Sequence, residues 1–90
     1  MRYNWTTDAL DQVRAQGLSA AEVHEALNAP RRLIQPVNGT TRRVVAHTRA
    51  GRLIEVWLRE SVADEEFEVW TAFEVGMVGR AAWKNAFGEG

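Results

Sequence analysis

Between residues 31 and 59 apolar and polar residues alternate, and two turn sites, Asn38-Gly39 and Ala50-Gly51, interrupt the alternation. Asn-Gly fits a type I′ turn, whose two central residues both need positive φ, so RRLIQPV and TTRRVVAHTR read as an antiparallel hairpin. Pro36 cannot donate to a ladder and places the first of these strands at a sheet edge. The second turn decides which side chains share a face. A two-residue loop at Ala50-Gly51 pairs His47 with Ile54 and mixes charged and apolar groups on both faces. A three-residue loop, Arg49-Ala50-Gly51 with Gly51 left-handed, instead pairs Ala46 with Ile54, Val44 with Val56 and Arg42 with Leu58. One face is then apolar. The other carries Arg43, Val45, His47, Glu55, Trp57 and Arg59, joined through the first hairpin by Arg32 and Ile34. This register is the expectation, because a slip of one residue exchanges the faces.

A fourth strand follows a polar loop. In EFEVWTAFEV, Phe67, Val69, Thr71 and Phe73 are expected in the core, which leaves Trp70 beside Trp57 on the open face. Ahead of the sheet, Thr6 or Thr7 caps a helix over 7–16 that Gly17 stops, with Trp5 as a hydrophobic staple at its start. Ser19 and Glu22 form a capping box for a second helix over 20–28, ended by Asn28 and Pro30. The connection Gly17–Ser19 suits only an αα-hairpin. Trp83 and Phe87, spaced i,i+4, mark a third helix over about 79–87, placed to cover the open face. A chain of 90 residues supports one core. The expected domain is therefore a single α+β unit: a helical hairpin over 1–30, a four-stranded antiparallel meander over 31–75, and a short C-terminal helix and tail over 76–90.

Cysteine is absent, which removes disulfides, thiolate zinc sites and a cysteine nucleophile. No apolar run approaches the roughly 20 residues that span a bilayer, and MRYNWTTDAL lacks the pattern of a signal peptide, so a cytoplasmic protein without a membrane partner is expected. The net charge of −1 conceals a division: residues 1–30 sum to −2, residues 31–59 to +6 and residues 60–90 to −5. Such asymmetry marks an anion-binding surface or a sheet that pairs opposite charges across its strands. Gly76-Met77-Val78-Gly79 lacks the Lys and Ser/Thr of a phosphate loop, and Ser19 and Ser61 have no nucleophile-elbow context.

The segments WTTDAL, AQGLSAAEVHEALNAP, HTRAGRLIEVWLRE and VWTAFE, in this order over residues 5–74, resemble the RelE-like toxin superfamily and most closely its BrnT-type branch. The resemblance implies a metal-independent endoribonuclease that needs no cofactor and acts as the toxin of a toxin–antitoxin pair. Its partners would be RNA and a cognate antitoxin. Such cleavage needs the 2′-hydroxyl deprotonated, the phosphorane charge stabilised and the leaving 5′-oxygen protonated. His47 is the side chain on the expected open face suited to proton transfer near neutral pH. His47, Arg43 and Arg52 are the expected catalytic residues, with Arg32, Arg49, Glu55, Trp57 and Arg59 binding substrate and no metal site.

A second reading is a non-catalytic interaction module of the same fold that binds a protein or forms a homodimer through its Trp57/Trp70 face. Its basis is the last strand, where Thr71-Ala72-Phe73-Glu74 replaces the basic pair of BrnT-type toxins. Asp8-Ala9 likewise stands where related domains have His-Ala, and Gln16 where they have Arg.

Overall fold

The computed structural model describes residues 2–61 and 66–88; residues 62–65 of the expected polar loop and 89–90 of the tail lie outside them. The elements are β1 (Arg2–Trp5), α1 (Thr7–Ala15), α2 (Ala20–Leu27), β2 (Leu33–Pro36), β3 (Thr41–His47), β4 (Leu53–Glu60), β5 (Glu66–Glu74) and α3 (Met77–Phe87). The strands form one sheet in the order β1-β5-β4-β3-β2.

The fold is α+β, but the four-stranded antiparallel meander is corrected to a five-stranded mixed sheet. β1 runs parallel to β5, pairing Arg2 with Glu66 through Trp5 with Val69. This strand gives β5 a partner along its outer edge that a meander would leave unpaired. Its residues alternate as the pleat demands. Tyr3 and Trp5 pack against the helix-side core, while Arg2 and Asn4 are exposed and their side chains engage the Glu66 carboxylate. Trp5 is thus the last residue of β1 and directly precedes Thr6, the N-cap of α1.

The helices follow their capping chemistry. Thr6 Oγ1 accepts the Ala9 N–H at 3.1 Å, and Ser19 and Glu22 form the full capping box. Gly17 turns the chain between α1 and α2 with φ +74°. α3 begins two residues earlier than expected, at Met77, and ends at Gly88 in the left-handed conformation.

The β3–β4 turn has the three-residue form, with Gly51 at φ +86° and Ala46 opposite Ile54. The first hairpin differs. Pro36 pairs with Arg42 and Gln35 with Arg43, one residue out of the type I′ register, and Gly39 has no positive φ. Asn38 explains the change: its Oδ1 accepts the N–H groups of both Thr40 (2.9 Å) and Thr41 (3.0 Å), closing a three-residue loop through its own side chain. Leu33 and Gln35, rather than Arg32 and Ile34, therefore share a face with Val45 and Arg43.

A bulge in β5 makes the other correction. Trp57 pairs with Thr71 but Leu58 with Val69, so Trp70 is an extra residue and the face parity flips there. Phe67, Val69 and Ala72 join the helix-side core, whereas Thr71 and Phe73 turn to the opposite face.

The sheet is covered on both sides. Val13, Leu18, Val23 and Leu27 bury Val44, Ala46, Ile54 and Val56 on one face. On the other, α3 lays Trp83 over Val45, Leu53 and Val75, with Leu33 and Phe87 around them. No helix among the described residues is long and apolar enough to cross a membrane.

Candidate functional site

The end of α2, the following 29–31 segment, the β3–β4 turn and α3 enclose an open cleft of about 750 Å³. His24 and Glu25 enter it from α2, Arg31 from the connecting segment, His47 and Arg49 from the β3 end, and Trp83 from α3. Each is held by a specific contact. The Glu25 carboxylate accepts the Arg49 backbone N–H at 3.1 Å, tying the β-turn to α2. Inside that turn Thr48 Oγ1 accepts the Arg52 N–H at 3.2 Å. The His47 ring meets Trp83 edge to face with centroids 4.9 Å apart. His24 Nε2 accepts the indole N–H of Trp5 at 3.0 Å. Arg31 lies over the Phe87 ring at 5.4 Å.

Electrostatically the cleft joins two arginines and two histidines to one carboxylate, Glu25. The Arg49 guanidinium makes no ion pair among the described residues. Trp83 is 1% exposed, and its indole N–H is buried with no acceptor. A buried donor in this state calls for an explanation in a ligand, a water or an ion.

The other candidates distribute over three places. Arg43, Glu55, Trp57 and Arg59 share the α3 side of the sheet with His47, as expected. The Arg43 Cα is about 13 Å along β3 from that of His47, with buried Val45 between them. Its guanidinium donates to Gln35 Oε1 while its Nε is buried without a partner. Glu55 is only 6% exposed, accepts the Trp57 indole N–H at 2.5 Å, and lies under the first turn of α3. A Cβ at position 79 would stand 3.5 Å from Glu55 Oε1, an ordinary contact, but would collide with Val75 Cγ1, which would have to shift. Arg59 stacks on Trp70 at 5.0 Å, and Trp70 meets Trp57 at 6.0 Å, so an aromatic–cation ladder runs along this end of the sheet.

Arg52 and Arg32 lie away from both groups. Arg52 Nη1 donates to Gly17 O (3.3 Å) and Glu22 Oε2 (3.0 Å), and Nη2 to Glu74 Oε1 (2.8 Å). It fastens the helical hairpin to β5 on the helix side of the sheet. The hydrogen bond from Arg52, reinforced by its charge and that of Arg80, holds the Glu74 carboxyl below the usual glutamate range against a smaller opposing effect of desolvation. The same bond raises the Arg52 pKa. Arg32 donates to the Leu27 carbonyl at the end of α2.

His24, Glu25 and Arg31 are the cleft residues that sequence reasoning does not select. Helical spacing places His24 beside Val23 and Leu27, as a packing residue. Its pairing with Trp5 depends on β1. No group of three or more His, Cys, Asp or Glu side chains among the described residues is placed to hold a metal ion.

No protein-family model and no curated protein sequence matches this chain. Among solved structures, the 1.1 Å crystal structure of the Brucella abortus ribonuclease toxin BrnT is similar. It superposes with a TM-score of 0.64 over 86% of this chain and 99% of that chain, at 15% sequence identity. The fold is that of a BrnT-type toxin. The likeness covers nearly all of BrnT, so the helical hairpin and the sheet correspond as one unit rather than as a shared hairpin or helix pair. At this identity the likeness concerns the fold, and the chemistry rests on the side chains of the cleft.

Proposed function

We propose that this protein is a ribonuclease toxin of the cytoplasm, cleaving RNA without a metal and restrained by a cognate antitoxin. The observation that carries the reading is the convergence of His47 with Arg49 and Arg31 in one open cleft of a BrnT-type fold. Neutral His47 takes the proton of a 2′-hydroxyl, and the freed oxygen attacks the adjacent phosphorus. The Arg49 fork, free of any ion pair among the described residues, neutralises the phosphorane oxygens. The bond from phosphorus to the 5′-oxygen breaks, that oxygen takes a proton from solvent water and His47 returns its own to solvent, leaving a 2′,3′-cyclic phosphate and a 5′-hydroxyl.

The remaining candidates take other parts. Arg43, Trp57 and Arg59 line the route that neighbouring nucleotides follow across the sheet, where Trp70 and Trp57 offer ring faces for base stacking. Covered by α3, Glu55 acts as a positioning residue for the Trp57 indole. Arg52 keeps the helical hairpin, and with it α2, in place against the sheet. Growth on induction in a host lacking the neighbouring genes tests the reading. Wild-type protein arrests growth, and His47→Ala at the same soluble level does not; arrest by both removes the site.

The second reading, a non-catalytic module that binds a protein or a second copy of itself, is favoured by Trp70, which remains 47% exposed beside Trp57. Concentration-dependent association abolished by Trp70→Ala, together with normal growth on induction, selects it.

A further inference from the structure

β1 brings Trp5 against α2, and the single hydrogen bond formed there determines the chemistry of His24. An indole N–H only donates, so His24 Nε2, 3.0 Å from Trp5 Nε1, must be an unprotonated acceptor. The neutral ring then carries its proton on Nδ1. The two rings pack at 5.7 Å with planes tilted by 49°, which fixes the imidazole as well as its tautomer. His24 lines the cleft, and Trp5 is not among the lining residues.

The cleft is rich in donors. Among its lining residues, Arg49 carries a guanidinium outside any ion pair among the described residues, His24 the ring N–H left by its tautomer, and Trp83 an indole N–H that is itself buried without an acceptor. Glu25 is the one carboxylate on the wall, and its Oε1 already accepts the Arg49 backbone N–H. Several donors facing little negative charge suit a ligand that supplies several acceptor oxygens, as a phosphate ester does.

We infer that His24 is a second phosphate-contacting residue of this cleft, presented as a neutral Nδ1–H donor because Trp5, a positioning residue, holds its Nε2 as acceptor. The inference rests on the RNA-cleavage reading and divides the labour of the two histidines. His47 exchanges protons, whereas His24 donates a hydrogen bond to a phosphoryl oxygen.

Titration of the labelled full chain with uridine 3′-phosphate, followed in long-range ¹H–¹⁵N spectra of the histidine rings, tests it. The free protein is expected to show the Nδ1–H pattern at His24, and the nucleotide to move the His24 and His47 signals along one shared binding curve. His24→Leu weakens binding about tenfold, whereas His24→Asn, whose amide restores a donor near the Nδ1 position, retains most of it. Trp5→Phe keeps a ring at the site but gives a mixed His24 tautomer and weaker binding. Movement of His47 without His24, or an unchanged tautomer in Trp5→Phe, overturns the inference. If neither ring moves while the wild type still cleaves RNA, the inference fails and the toxin reading stands. Both rings moving in a protein that cleaves no RNA supports the phosphate contact and removes the toxin reading.

Discussion

The His47 imidazole meets the Trp83 indole edge to face, with centroids 4.9 Å apart and planes at 87°. Trp83 belongs to α3 and is 1% exposed, so the C-terminal helix both closes the second core cluster and fixes the proposed proton-transfer group. Trp83→Ala is expected to cost about 3–5 kcal/mol, the range for removing a buried aromatic side chain. Denaturant unfolding checks the magnitude, and hydrogen exchange checks the location. Protection should fall throughout α3 and change least at the α1 and α2 amides. Unchanged exchange in α3 would show that another contact anchors it.

The first hairpin yields a sharper test, because two turn chemistries assign opposite roles to adjacent residues. Gly39 lacks positive φ and has open space around its Cβ position, so Gly39→Ala should change stability by less than about 0.5 kcal/mol. Asn38→Ala removes the acceptor of two backbone N–H groups and should cost about 1 kcal/mol. A type I′ turn would reverse this order, penalising Gly39→Ala more heavily. Thermal unfolding of the two variants decides between them.

Arg52 and Glu74 give the fold an acid-sensitive fastening. A carboxyl held below its unfolded pKa contributes stability that is present above the unfolded value and is lost as pH falls through the folded one. The melting temperature of the wild type should therefore decline between about pH 5 and pH 3. Glu74→Gln should melt lower than the wild type at pH 7, and the difference should vanish at the acid end. A difference that stays constant with pH would mean that Glu74 contributes through packing alone.

These tests follow the line between what the sequence carries and what it hides. Thr6, Ser19 with Glu22, and Gly51 act within a few residues of themselves, so the two N-terminal helices and the β3–β4 register follow from local chemistry. Asn38 is also local but ambiguous, since the same side chain serves a type I′ turn or closes a loop by accepting backbone N–H groups. The bulge at Trp70 is hidden because aromatic residues occupy both alternating sets of β5, and either parity buries rings. β1 is the least legible. RYNW has only four residues, and its partner, from Glu66 onward, is more than sixty residues away. The cleft inherits that obscurity: His47 and Arg49 emerge from the turn register, whereas His24 acquires its partner only when β1 delivers Trp5.

The central claim is that His47 transfers protons in RNA cleavage. Purified wild-type protein and His47→Ala should be incubated with a single-stranded RNA in the presence of a chelator, and the fragment ends identified. The wild type is expected to give fragments bearing 2′,3′-cyclic phosphate and 5′-hydroxyl ends, with a rate lower by about 100-fold or more in the variant. Equal cleavage by the two proteins, or cleavage that the chelator abolishes, would contradict it.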